Sequence, residues 1–116
     1  MGRDFQPVCQ LGDLELGRGV VALVHGQAVA IFRLPDDVVV AIGNHDPFSR
    51  GAVLARGMVG VRDDVHFVAT ATHRHTFDLH TGRCLDDPTV TVPSFPAKVV
   101  DGTVLVGPRT ERRASA

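Results

Sequence analysis

The sequence predicts an all-β domain, and three observations carry that reading. Nearly every apolar segment is short, rich in Val and bounded by turn residues, which is the pattern of small strands. The 12 Gly and 7 Pro spread through 116 residues leave no room for long helices. Two pairs, His25-Gly26 and Asp101-Gly102, stand between apolar runs at the spacing of tight hairpins.

Taken in order, Phe5 to Val8 reads as a first strand, and one helical turn fits between Gln10 and Leu16, where Gly12 and the following Gly17 disfavour a longer helix. Val20 to Val24, Ala28 to Leu34 and Val38 to Ile42 form a meander joined by His25-Gly26 and Pro35-Asp36-Asp37, so antiparallel pairing is expected. A loop from Gly43 to Gly51 follows. The chain then reaches a strand at Val59 to Val61, a turn at Arg62-Asp63-Asp64 and a strand at Val65 to Ala69. A second loop leads into Thr76 to Leu79, whose alternation sets Phe77 and Leu79 on one face and Asp78 on the other. Pro88, Pro93 and Pro96 hold the next stretch extended. Ala97 to Val100 and Thr103 to Val106 close the fold as a hairpin. The expected organisation is one domain over residues 1–107, with 108–116 as a frayed tail.

Composition excludes several functions. Charged residues make up 22% and the formal net charge is -1, so no basic nucleic-acid surface is expected, and the 44% hydrophobic content argues against disorder. Apolar runs such as Val20 to Val24 are far too short to cross a bilayer, and no apolar stretch follows Met1 in the manner of a signal peptide. Cys9 and Cys84 stand far apart without metal or redox spacing, which fits reduced, packed thiols in a cytoplasmic protein. No glycine-rich phosphate loop is present, and Ser49 lacks the motif of a nucleophile elbow.

Two stretches concentrate the polar and aromatic chemistry: Asn44-His45-Asp46-Pro47-Phe48-Ser49-Arg50-Gly51, and Thr70-Ala71-Thr72-His73-Arg74-His75-Thr76-Phe77-Asp78 followed by Thr81-Gly82. In this order, with the closing Phe95-Pro96-Ala97-Lys98-Val99-Val100-Asp101-Gly102-Thr103-Val104-Leu105-Val106, the chain resembles the Rieske iron-sulfur domains, which implies an antiparallel β-sandwich with two cluster-binding loops. The family supplies Cys-x-His from one loop and Cys-x-x-His from the other. Here Asp46, Phe48 and Thr70 occupy three of those places and only His73 is retained. A two-iron cluster of this type needs two thiolates and two imidazoles, so no cluster is expected. The Asn44-to-Phe48 loop and Gly82-Arg83-Cys84-Leu85-Asp86-Asp87-Pro88 together resemble the small subunit of assimilatory NAD(P)H-dependent nitrite reductase, the NirD type.

That resemblance implies an accessory role in the cytoplasm, with no catalysis by this chain alone. The implied partner is a large catalytic subunit carrying FAD, siroheme and an iron-sulfur cluster, which reduces nitrite to ammonia in nitrogen assimilation; neither nucleic acid nor membrane is a partner. His45, Pro47, Phe48, Arg74 and His75 are the candidate partner contacts. Phe48 either fills the space a cluster would take or anchors another protein, and Asp46 is expected to cap loop amides. Two alternatives are weighed beside this: a Rieske-type electron carrier, which requires a cluster, and a zinc or interaction module using His73 and His75, whose i, i+2 spacing in a strand puts both on one face.

Overall fold

The computed structural model describes residues 4–70 and 75–109. Among the described residues the strands are β1 (Gln6–Gln10), β2 (Gly19–Val24), β3 (Gln27–Leu34), β4 (Val38–Gly43), β5 (His45–Asp46), β6 (Gly51–Ala52), β7 (Met58–Arg62), β8 (Val65–Ala69), β9 (Thr76–Asp78), β10 (Ser94–Phe95), β11 (Ala97–Val100) and β12 (Thr103–Val106). Three-residue 3₁₀ turns stand at Leu11–Asp13, Pro35–Asp37 and Leu54–Arg56. Among those residues no helix is long and apolar enough to cross a membrane.

All strand pairs are antiparallel, as the meander predicts. They form a central sheet in the order β10-β4-β3-β2, a sheet β1-β12-β11, a sheet β7-β8-β9 and the small β5-β6 ribbon of the first loop. The central sheet is covered on both faces. Alternate residues of β3 and β4 divide between two cores: Val29, Ile31, Val39 and Ala41 meet Val104 and Val106 on one side, while Ala30, Phe32, Val40 and Ile42 meet Val68, Phe77 and Leu79 on the other. This is why Ala28 to Leu34 is apolar at almost every position: a strand buried on two faces has no solvent side to make polar. Burying a ring such as Phe32 completely stabilises the fold by roughly 2–3 kcal/mol.

Turn chemistry follows the sequence closely. His25-Gly26, Asp63-Asp64 and Asp101-Gly102 all hold two successive positive φ angles, the geometry that matches the twist of a two-residue hairpin. The helical turn expected between Gln10 and Leu16 is the 3₁₀ turn Leu11–Asp13, closed by a capping box between Gln10 and Asp13. The first strand extends to Gln10 and pairs with β12, which brings the two ends of the fold together. Of the expected tail, Pro108 and Arg109 are exposed, and 110–116 lie outside the described residues.

Candidate functional site

The site is the meeting of the two loops. The first loop is pinned by its own polar groups. Asn44, 3% exposed, donates its N–H to the Ala28 carbonyl, accepts the Leu54 N–H on its own carbonyl and accepts the Ala55 N–H on its side-chain oxygen at 2.8 Å. One asparagine thereby ties the end of β4 to the 3₁₀ turn that closes the loop. Asp46 is fully buried, and its two carboxylate oxygens accept the Phe48 N–H and the Ser49 hydroxyl, each at 2.9 Å. The expected capping role of Asp46 is what the structure contains. Ser49 in turn accepts the Gly51 N–H, so its hydroxyl serves the loop.

The second loop is closed from its base. Thr70, 4% exposed, donates its N–H to the His75 carbonyl at 2.9 Å, and its hydroxyl oxygen accepts the His75 N–H at 3.1 Å. Beyond it, Thr76 donates both its N–H and its hydroxyl to one oxygen of Asp86, at 2.6 and 2.9 Å. These bonds, the backbone one foremost, hold the Asp86 carboxyl below the usual carboxylate range, and nearby His75 and Arg62 add to the effect. Asp87 accepts the hydroxyl and N–H of Thr89, which lowers its carboxyl as well. The acidic pair after Cys84 is therefore loop architecture that sequence reasoning did not assign, because the partner of Asp86 lies ten residues away.

Between the loops, the Phe48 ring stacks on the His75 imidazole with centroids 3.6 Å apart and planes within 5°, and it lies tilted against Phe77 at 6.2 Å. The Phe48 ring is half-buried against the core that contains Phe77 and Val68. Of the other expected contacts, His45 and Pro47 are exposed and His75 is half-buried. His73 and Arg74 lie outside the described residues, and with them one member of the zinc pair. Among the described residues no group of three or more His, Cys, Asp or Glu is placed to hold a metal ion.

A two-iron cluster does not fit this donor set. The chemistry requires two thiolates and two imidazoles. At the described ligand places the loops offer a carboxylate already accepting two hydrogen bonds, a phenyl ring, and a hydroxyl engaged with backbone, and the sequence supplies no thiolate in either loop. Neither cysteine repairs this: Cys84 is buried in one core, and Cys9 packs on the other, where burial and then Asp13 push its thiol up, away from the thiolate form.

Residues 4–107 match the model of the Rieske-like [2Fe-2S] domain family. The NADH nitrite reductase small subunit of Salmonella typhimurium is 39% identical over 101 residues, spanning 86% of this chain and 94% of that protein. The chain belongs to the Rieske-like nitrite reductase small-subunit family. A crystal structure of a Mycobacterium tuberculosis protein described as a member of this family superposes with a TM-score of 0.87 at 43% identity, covering 90% of this chain and 94% of that one. The nitrite reductase [NAD(P)H] large subunit of Klebsiella oxytoca contains a segment 31% identical over 105 residues, covering 90% of this chain but 11% of that protein. A small-subunit fold thus also occurs inside a large-subunit chain.

Proposed function

We propose that this chain is the accessory small subunit of a cytoplasmic NAD(P)H-dependent nitrite reductase, that it holds no iron-sulfur cluster, and that it acts by binding and stabilising the large catalytic subunit. The observation that carries the reading is the agreement with nitrite reductase small subunits along nearly their whole length. The in-line segment of the Klebsiella oxytoca large subunit supports the choice of partner, since a domain that is one chain with its partner in one organism is a natural separate subunit in another. By the family resemblance, the large subunit carries FAD, an iron-sulfur cluster and siroheme, and passes electrons from NADH or NADPH to nitrite. This chain takes no redox step. The donor set of its loops argues against the electron-carrier alternative, because a ferredoxin needs the two sulfur ligands that Asp46 and Thr70 replace.

Co-expression with an affinity-tagged large subunit from the same organism tests the reading. A stoichiometric complex, with nitrite-dependent NAD(P)H oxidation raised or stabilised relative to the large subunit alone, is the expected result. Recovery of the large subunit alone, equally active and equally stable, would contradict it.

A further inference from the structure

Where the start of β2 meets the 3₁₀ turn Leu54–Arg56, a notch of about 270 Å³ opens at the surface. Among the described residues it is lined by Gly17, Arg18, Gly19, Ala55, Arg56 and Gly57, two tripeptides that each set an arginine between small residues. The glycines make the approach possible. A Cβ at Gly19 would collide with the Ala55 carbonyl oxygen, one at Gly57 with Val68 and the Ala69 carbonyl, and Gly17 turns the chain at φ +77°. Close backbone packing therefore brings Arg18 and Arg56, 38 positions apart in sequence (56 − 18), to one hollow. Ala55 is also the residue whose N–H donates to the Asn44 side-chain oxygen at 2.8 Å, so the notch shares a wall with the first loop.

Two guanidinium groups at one notch are like charges, and neither can lose its proton to relieve the repulsion. Their neutralisation within the fold is slight. Among the described residues the exposed Arg56 side chain makes no hydrogen bond and no ion pair. Arg18 donates to the Glu15 carboxylate at 3.2 Å, but both side chains are exposed, such a pair contributes little, and it engages only one of the guanidinium N–H groups. Glu15 and Asp13 line the adjoining hollow on the far side of Arg18, where the Asp13 carboxylate accepts the Gln10 N–H; no carboxylate lines the notch itself among the described residues.

We propose that this notch is a binding site for a small tetrahedral oxyanion of the phosphate class, held between Arg18 and Arg56. The site is independent of the reading of the chain as an accessory subunit. The number of arginines sets the class of ligand. One planar guanidinium fork already satisfies both oxygens of a carboxylate, whereas a phosphate group presents further oxygens to a second fork. The glycine walls leave room for the anion to approach the backbone, which side chains at those positions would deny.

The test is a titration of the full, ¹⁵N-labelled chain with inorganic phosphate at neutral pH, followed by amide chemical shifts, with ionic strength held constant by sodium chloride. Wild type is compared with Arg18→Gln, Arg56→Gln, Arg56→Lys and Arg83→Gln; Arg83 is an exposed arginine outside the lining and controls for net charge. All four positions are exposed, and circular dichroism verifies that each variant folds. Saturable shifts centred on residues 17–19 and 55–57 are expected. Each Arg→Gln change in the notch is expected to weaken binding about tenfold or more, as loss of a charge-assisted hydrogen bond does, with Arg56→Lys retaining part of the affinity and Arg83→Gln within about twofold of wild type. Shifts that do not saturate, that spread over basic residues generally, or that persist at wild-type affinity in either folded notch variant would overturn the site. An absence of phosphate binding, with large-subunit affinity weakened by the same two Arg→Gln changes, would reassign the arginines to a carboxylate of that partner and equally overturn the inference.

Discussion

Replacing Phe48 by Ala removes the ring that closes the space between the two loops, and the structure fixes the size of the effect. Truncating a fully buried Phe costs about 3–5 kcal/mol. The Phe48 ring is half-buried, which lowers the burial part to about 1.5–2 kcal/mol, and its stack on His75 with the tilted contact to Phe77 adds about 0.5–1 kcal/mol. The expected loss is therefore about 2–3 kcal/mol. With a urea m-value of about 1.5 kcal/mol/M for a domain of this size, the midpoint falls by about 1.3–2 M. The sequence contains no Trp and no Tyr, so the unfolding curve is read by far-ultraviolet circular dichroism and not by intrinsic fluorescence. Phe48→Leu, which retains much of the apolar volume but not the planar stack, recovers about half of the loss. A destabilisation below about 0.5 kcal/mol for Phe48→Ala at unchanged m would refute the packing role, because a ring exposed for docking is nearly neutral when truncated in the free chain.

Asp46→Ala leaves the Phe48 N–H and the Ser49 hydroxyl without their buried acceptor, and a loss of about 3 kcal/mol is expected in the same assay; Asp46→Asn, which keeps one acceptor oxygen, loses about half as much. Asp86 has its carboxyl held low by Thr76, so the stability it contributes is present above its unfolded value of about 3.9 and is lost as pH falls through the lower folded value. Thermal unfolding across the acid range should show that loss in wild type and a flatter acid limb in Asp86→Asn; identical limbs would remove Asp86 from the account. Gly82→Ala should cost about 2–3 kcal/mol, because Gly82 has φ +81° and an added Cβ would collide with the Val92 carbonyl oxygen. Wild-type stability in that variant would show that the turn after β9 adjusts freely.

Most of the fold was legible because it is local. Two-residue periodicity and turn chemistry place a strand with the right partner wherever a hairpin joins neighbours, as at His25-Gly26 and Asp101-Gly102. The doubly covered central sheet showed itself only in the unbroken apolar run of β3, a signal that does not say what covers each face. At the site, Asp46 was readable as a cap since its donors lie two and three residues away. The partners of Phe48 and of Thr76 were not readable, because a stack across 27 residues and a carboxylate ten residues downstream are products of packing between loops.

In the proposed function, Asp46 and Thr70 stand where the two sulfur ligands would be, Phe48 packs between the loops, and the chain serves its partner as a subunit without a redox centre. Iron and acid-labile sulfide in the chain, isolated anaerobically from its complex with the large subunit, measure that claim most directly. The expected result is neither above background, with a featureless visible spectrum. Two iron and two sulfide per chain, the content of one cluster of this type, would contradict it.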